Sequence, residues 1–156
     1  FAKVPFQKMP AGSVLQVVQG TTSTLVTVAS TTYTDSGLTA SITPTSASSK
    51  ILVIVQKPCS TVRYTANDAG AVKLRLLRDA STVYVLSAAI LGFSFNVTTT
   101  EVGSSISLVY LDSPATTSST TYKTQGAGAY ASNTAYLNGS SQGGINSTIT
   151  LMEIAG

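Results

Sequence analysis

The stretch Lys50-Ile-Leu-Val-Ile-Val-Gln-Lys57 decides the fold. Its five consecutive apolar residues lie between a Ser/Thr-rich segment, 43–49, and Pro58. A short apolar run rich in β-branched residues and flanked by prolines is typical of a strand, and it is too short for a buried helix. We predict that this strand ends at Pro58 and is buried on both faces, as an unbroken apolar run requires. The two sets of side chains are Ile51, Val53 and Val55 on one face and Leu52 and Ile54 on the other.

Short segments with period-two alternation recur on both sides of this strand. We predict strands at 14–18, 25–28, 38–43, 62–65, 72–76, 82–86, 93–97, 106–110, 120–124, 134–137 and 148–154. The polar segment 120–124 is expected near a sheet edge, and 88–91 fits either a helical turn or more strand. Turn chemistry is predicted at Asp35-Ser36-Gly37, Asn67–Gly70, Arg78–Ser81 and Asp112–Pro114.

This pattern predicts an all-β fold, an antiparallel β-sandwich of the jelly-roll type. Not counting the weaker signals at 62–65 and 134–137, roughly nine or ten short strands follow at regular spacing, and there is no amphipathic helix of useful length. Because no internal repeat has a fixed period, a propeller or a β-helix is disfavoured. Residues 11–156 are expected to form one domain. Residues 1–10 contain two prolines and no clear period, so they are expected to be an extended lead-in from an upstream segment that this sequence lacks.

The composition predicts contacts between subunits. Charged residues make up 10% of the chain, apolar residues 43% and Ser plus Thr about three in ten. The mean hydropathy is +0.28. So much apolar surface with so few charges favours an oligomer. No stretch approaches the 18 or so apolar residues of a membrane span, so no membrane insertion is expected.

The net charge of +3 is spread thinly and does not predict a nucleic-acid partner. The densest basic group is Lys73, Arg75 and Arg78, and alternation places the first two on one strand face. No aromatic residues are interleaved with them, so a solvated strand face is the favoured interpretation.

Catalytic chemistry is not predicted. The chain has no histidine, which excludes Ser-His-Asp and Cys-His nucleophile activation and imidazole metal ligands. The single cysteine, Cys59, is expected to be a buried thiol. Asp35, Asp68, Asp79 and Asp112 are explained by turns, and no phosphate-binding loop is present. We therefore expect no enzyme activity, no cofactor and no metal.

The order of several motifs resembles the distal, receptor-binding domain of tailed-bacteriophage tail-fibre proteins, particularly marine ones. The motifs are strand and turn signatures, and they cover nearly the whole chain. They are Gly12–Val18, Thr31–Pro44, Ser48–Val55, Leu76–Asp79, Val109–Pro114, Thr121–Gln125 and Ile149–Ile154. The resemblance implies an extracellular virion protein that assembles as a homotrimer and binds a glycan or protein receptor on the host surface. It implies no catalytic residues.

One segment is predicted to bind the receptor. Residues 126–147 are the most loop-like part of the chain, rich in Gly, Asn and Ser. Within it Tyr130, Asn133, Tyr136 and Asn138 have the composition of adaptable recognition surfaces. A solvated loop with tyrosines packed on the sandwich is an equal alternative.

For the whole chain, the alternative function is a purely structural virion or filament subunit, such as a capsid decoration or fibre-shaft protein. A glycan-trimming enzyme is a more distant third.

Overall fold

Two antiparallel sheets pack face to face and confirm the predicted all-β sandwich. The computed structural model describes residues 9–63, 69–86, 93–94 and 100–156. In chain order the strands are β1 Val14–Thr22, β2 Val26–Val28, β3 Thr34–Ile42, β4 Lys50–Arg63, β5 Ala69–Gly70, β6 Val72–Arg78, β7 Ser81–Leu86, β8 Phe93–Ser94, β9 Thr100–Asp112, β10 Thr120–Gly128, β11 Asn133–Leu137, β12 Gly139–Ser140, β13 Gly143–Gly144 and β14 Ser147–Ile154. The described residues include no helix long and apolar enough to span a membrane.

The large sheet is built around β4, as the apolar run at 50–57 predicts. One edge of β4 pairs with β9 along its whole length. The other edge pairs first with β14, which pairs with β1, and then with β11, which pairs with β2. The small sheet has the order β3-β10-β6-β7, and β5–β8 and β12–β13 form two separate short ladders.

The core lies between the two sheets. From β4 it includes Ile51, Val53 and Val55, each at most 1% exposed, and from the small sheet Leu38, Leu76 and Tyr122 pack against them. Leu52 and Ile54 face the opposite way and are only half-buried. The predicted burial is therefore confirmed for the face with Ile51, Val53 and Val55. In a single chain, the face with Leu52 and Ile54 is only partly buried.

The central strand does not end at Pro58, which corrects one prediction. β4 continues to Arg63, and the separate strand expected at 62–65 is its last part where it falls within the described residues. Pro58 lies between the pairing of Gln56 with β14 and the pairing of Cys59 with β11. β4 therefore runs through the proline at the point where one of its edges changes partner, and it stays paired with β9 on the other edge.

The predicted turn Asp35-Ser36-Gly37 is also wrong, since all three residues lie inside β3. The pairing of β3 with β10 steps from Thr39–Lys123 to Asp35–Gln125, which leaves extra residues on β3. The segment is thus a β-bulge, and Gly37 adopts the positive φ of 74° that such an irregularity requires. These three residues do change the direction of the backbone, but they do so inside a strand and do not end it.

Two further predictions need correction. Residues 120–124 belong to β10, which is central in the small sheet and not near an edge. Their inward hydroxyls are satisfied, because Thr124 bonds Ser36 and Tyr122 bonds Asp112. The segment 126–147 contains β11, β12 and β13 and is less loop-like than its composition indicates.

Several local predictions are confirmed. Residues 78–81 turn between β6 and β7, with Asp79 at a φ of 53°. The short second strand and the closing strand are β2 and β14. Lys73 and Arg75 lie on one partly exposed face of β6, and Cys59 is buried. The predictions for 1–8, the start of the 67–70 turn, Asp68, 88–91 and most of 93–97 fall outside the described residues.

Candidate functional site

The four residues predicted to bind a receptor do not form one surface. Asn133 is 1% exposed; its Nδ2 donates to Thr61 Oγ1 at 2.8 Å and to the Ala71 carbonyl at 3.0 Å. Its Oδ1 accepts the Tyr130 N–H at 2.9 Å. Every polar atom of this amide is therefore used inside the protein, where it ties the end of β10 to β4.

Asn138 is equally internal. It is fully buried, and its Nδ2 donates to the Thr24 carbonyl at 2.8 Å and the Ser36 carbonyl at 2.6 Å. Its Oδ1 accepts from Lys57 Nζ at 2.5 Å and Ser147 Oγ at 3.0 Å. Neither asparagine can contact a receptor in this structure, which corrects that part of the predicted site; both instead hold strands of the two sheets in place.

The two tyrosines differ from each other. Tyr136 lies on β11 between Thr27 and Ser60 and is half-buried. Tyr130 is 43% exposed in the connection from β10 to β11. Of the four predicted residues, Tyr130 is the one that presents a large side-chain surface to solvent.

Most described carboxylates have structural partners. Asp112, 5% exposed, accepts from Arg78 Nη1 at 2.8 and 3.0 Å and from the Tyr122 hydroxyl at 2.7 Å. Burial and the neighbouring Asp112 raise the pKa of Tyr122, so this hydroxyl stays a donor. Glu153 is fully buried and accepts from Gln16 Nε2 at 2.6 Å and from the N–H and the hydroxyl of Thr45, both at 2.7 Å.

Glu101 and Asp79 also act on local structure. Glu101 Oε1 accepts from Ser60 Oγ at 2.5 Å and from the Ser141 N–H at 2.8 Å, and Oε2 accepts from the Ser141 hydroxyl. These bonds hold the turn between β12 and β13 against the large sheet. Asp79 lies in the turn between β6 and β7, as predicted, and it accepts the Thr121 N–H of β10 at 2.9 Å.

Cys59 has the environment of an inert thiol. It is 2% exposed, and burial raises its pKa to about 11. A reactive cysteine needs a lowered pKa and access to solvent, and Cys59 has neither. Within the described residues, no group of three or more acidic, cysteine or histidine side chains is placed to hold a metal ion.

A different group of side chains lies together on the outer side of the small sheet, and we call it the polar face. Asp35 is exposed, and Tyr33, Arg75, Lys123 and Gln125 are partly exposed. The polar face crosses three strands of the small sheet on the side away from the core. The pairings Asp35–Gln125 and Gln125–Arg75 place one residue from each of β3, β10 and β6 in a single row. Strand positions fix these side chains more rigidly than a loop would.

One cation–π contact and a series of hydrogen bonds connect the side chains of the polar face. The guanidinium of Arg75 lies 4.4 Å from the centre of the Tyr33 ring. Arg75 Nε and Nη2 donate to Gln125 Oε1 at 2.8 and 2.5 Å. Gln125 Nε2 donates to Asp35 Oδ1 at 2.6 Å, and Lys123 Nζ forms an ion pair with Asp35 Oδ2 at 3.0 Å. The network fixes the rotamers of an aromatic ring, a carboxylate, an amide and two cations at the surface.

The electrostatics of the polar face favour negative ligands. Hydrogen bonds from Gln125 and Lys123 lower the pKa of Asp35, so its carboxylate is an acceptor at neutral pH. Lys73 also approaches the Tyr33 ring, at 5.5 Å from its centre. Three cations (Lys73, Arg75 and Lys123) and one anion (Asp35) thus lie on or beside the polar face. A shallow depression lined by Asp35, Gly37, Thr39 and Lys123 adjoins the network.

Tyr130 lies at the same end of the sandwich as Tyr33. Tyr33 directly precedes β3, whose first residue pairs with Gly126, and Tyr130 lies two residues after the end of β10. The Gly128 N–H donates to the Ser30 carbonyl at 2.9 Å, which ties the two connections together. Tyr130 therefore lies in a connection at the same end of the sandwich as the polar face.

The sequence contained one signal for the polar face. The alternation of Lys73 and Arg75 correctly predicted a solvated strand face, and Lys123 and Gln125 alternate in the same way. Asp35 was missed because its bulge resembles a turn. Nothing in one sequence shows that β3, β10 and β6 are neighbours.

Comparisons with known proteins add little on function. No family model matches the chain, and no curated protein matches it. Among solved structures it is similar to dimeric latent PorU from Porphyromonas gingivalis, at 9% identity and a TM-score of 0.35, over 94% of this chain and 14% of that one. It is also similar to the VP2 subviral particle of infectious bursal disease virus, at 13% identity and a TM-score of 0.37, over 100% of this chain and 42% of that one. The chain thus spans less than half the length of either protein, and at these TM-scores neither similarity bears on function.

Proposed function

We propose that this chain is a non-enzymatic receptor-binding module of a tailed-phage tail fibre. It sits on the outside of the virion as part of a homotrimer and binds a host-surface glycan. The resemblance of its ordered motifs to tail-fibre distal domains supports the setting. The polar face is the single observation that supports binding, because it is a rigid, solvent-facing array on strands and not in the core.

The chemistry of the polar face suits a glycan. Sugar hydroxyls both donate and accept, so they can pair with the Asp35 carboxylate, the Gln125 amide and the Lys123 ammonium. An aromatic ring packs on the apolar face of a sugar and loses little conformational entropy. Tyr33 is held in place by the Arg75 guanidinium.

The excess of cations narrows the ligand class to glycans with acidic groups. Arg75 retains Nη1, for which the described residues show no hydrogen-bond partner, and Lys123 has two further N–H donors beyond its bond to Asp35. A guanidinium binds a carboxylate or sulfate through paired hydrogen bonds. Glycans with uronic acid, sialic acid or sulfate groups are therefore the proposed receptors.

A glycan array tests this proposal. We expect the wild-type protein to bind a subset of acidic glycans, and Arg75→Ala to lose that binding while it keeps its melting temperature within a few degrees. Ser41→Ala is the matched control, since Ser41 lies on the same exposed face of β3 and bonds Thr121, outside the network. If the wild type binds no glycan on the array, the alternative of a purely structural virion subunit is supported instead. If Arg75→Ala binds like the wild type, receptor binding does not use the polar face.

A further inference from the structure

The outer face of the large sheet has an unusual pattern for a solvated surface. Register across four strands places Val17, Met152, Leu52 and Leu111 in one row. The next outward row contains Ile54 and Val109 beside Gln19 and Thr150. We call these six apolar residues the apolar face. Val17 is 55% exposed, Leu111 51% and Val109 63%.

Charge is nearly absent from this side of the sandwich. Among the described outward residues of β1, β4, β9 and β14, the charged ones are Lys50 at one end and Glu101 at the other. Beyond the apolar face the outward residues are Thr21, Thr148, Gln56 and Ser107, which are polar but uncharged. The opposite side of the molecule holds the three cations and the anion described above. The two faces of the sandwich therefore have different chemistry.

Strand β9 adds a second feature on the same side. It pairs with β4 over 13 residues, and no described strand pairs with its other edge. Proteins normally protect a long edge strand with lysine, proline or a covering element. β9 contains no Lys, Arg or Pro, and its outward residues from 103 to 111 are Gly, Ser, Ser, Val and Leu. A long edge that has neither a described partner strand nor these protecting residues favours association with another chain.

The size of this surface is in the range of a subunit interface. With strands about 4.8 Å apart and about 3.4 Å per residue, four strands over the length of Lys50–Lys57 cover roughly 500 Å² in plan. The accessible surface of the side chains exceeds that plan area, and a standard interface covers roughly 800 Å² on each partner. A face with so few charges meets little like-charge repulsion when it packs on an identical copy.

We infer that a second copy of this chain covers the apolar face and the edge of β9, so that this side of the large sheet is the subunit interface. The inference rests on the oligomeric part of the proposed function but not on glycan binding. It also explains why Leu52 and Ile54, part of the most apolar run in the chain, are only half-buried in one subunit. The polar face, on the other sheet, remains open to a receptor in such an assembly.

Light scattering on the 156-residue chain at tens of micromolar protein tests this inference without any glycan. We expect the wild type to give a multiple of the 16.0 kDa subunit mass, and a trimer would give 3 × 16.0 = 48.0 kDa. Val17→Lys and Val109→Lys should each shift the mass towards 16.0 kDa while circular dichroism stays that of a folded β protein. Because both positions are more than half exposed, lysine should not prevent folding.

Val85→Lys is the matched control, because Val85 is 47% exposed on the small sheet and its loss should leave the oligomer intact. A wild type that remains at 16.0 kDa would contradict both the inference and the proposed homotrimer. An oligomer that persists in Val17→Lys and Val109→Lys, or that dissociates only in Val85→Lys, would contradict the apolar face alone and leave the homotrimer standing.

Discussion

The ammonium nitrogen of Lys57 lies 2.5 Å from Oδ1 of Asn138, and neither side chain is exposed to solvent. No acidic side chain is recorded as an ion-pair partner of Lys57 among the described residues. A buried cation held by an amide alone is costly, because desolvation is only partly offset by the hydrogen bond. Burial accordingly lowers the pKa of Lys57 from 10.5 to about 8.

We expect Lys57→Met to be more stable than the wild type at pH 7. The folded protein releases the Lys57 proton at lower pH than the unfolded chain does, so the lysine contribution to stability rises from pH 8 towards 10.5. A pKa lowering of this size corresponds to a loss of roughly 3 kcal/mol in the free energy of unfolding while Lys57 is protonated. Urea unfolding should therefore show an advantage for Lys57→Met that is largest at and below pH 7 and shrinks as the pH approaches 10.5.

Lys50→Met is the control for this experiment, since Lys50 is exposed at the start of the same strand. At this exposed position the substitution should change the free energy of unfolding by no more than about 0.5 kcal/mol at pH 7. A Lys57→Met protein that is several kcal/mol less stable than the wild type at pH 7 would mean that the Lys57–Asn138 contact stabilises the fold.

Val53→Asp should prevent folding. Val53 is fully buried at the centre of β4, and an unpaired buried charge costs several kcal/mol against a total stability of about 5–15 kcal/mol. Val109→Asp makes the same chemical change on the neighbouring strand at a position that is 63% exposed, and it should stay folded. Circular dichroism with thermal melting distinguishes them, and a cooperative melt for Val53→Asp would disprove the position of β4 in the core.

Tyr122→Phe should cost about 1.5–3 kcal/mol, the usual value for a hydrogen bond to a charged acceptor. The lost bond is the 2.7 Å contact to Asp112, which also accepts from Arg78. Tyr130→Phe is the matched change at an exposed ring and should lie within about 0.5 kcal/mol of the wild type. Equal stabilities of the two variants in denaturant unfolding would show that the buried hydroxyl contributes nothing.

Binding to an acidic glycan should weaken as salt increases. The polar face has three cations to one anion, and ions screen such attraction over about 8–10 Å at physiological salt. Titrations at 50 and 500 mM NaCl should show a lower affinity at the higher salt, and Lys123→Gln should reduce this dependence. An affinity that does not change with salt would exclude the charged groups from recognition.

The sequence predicted the core more successfully than the site. The apolar run of β4 and the alternation in β6 and β14 follow from which side chains are buried. That pattern is visible in the sequence of each strand by itself. The end of β4 was misplaced because whether proline breaks a strand depends on where the neighbouring strands pair. Asp35 was assigned to a turn because the same residues suit a bulge. Asn133 and Asn138 were predicted to bind a receptor, but they are buried. The sequence does not distinguish an asparagine that bonds backbone carbonyls from one that bonds a ligand.

The structure of the protein in complex with the acidic glycan that binds most tightly on the array tests the central proposal most directly. We expect the sugar to lie on the small sheet, with its acidic group at Arg75 or Lys123, a hydroxyl on Asp35 and a ring face on Tyr33. A glycan bound to residues 133–147 or to the large sheet, with the polar face empty, would contradict the account.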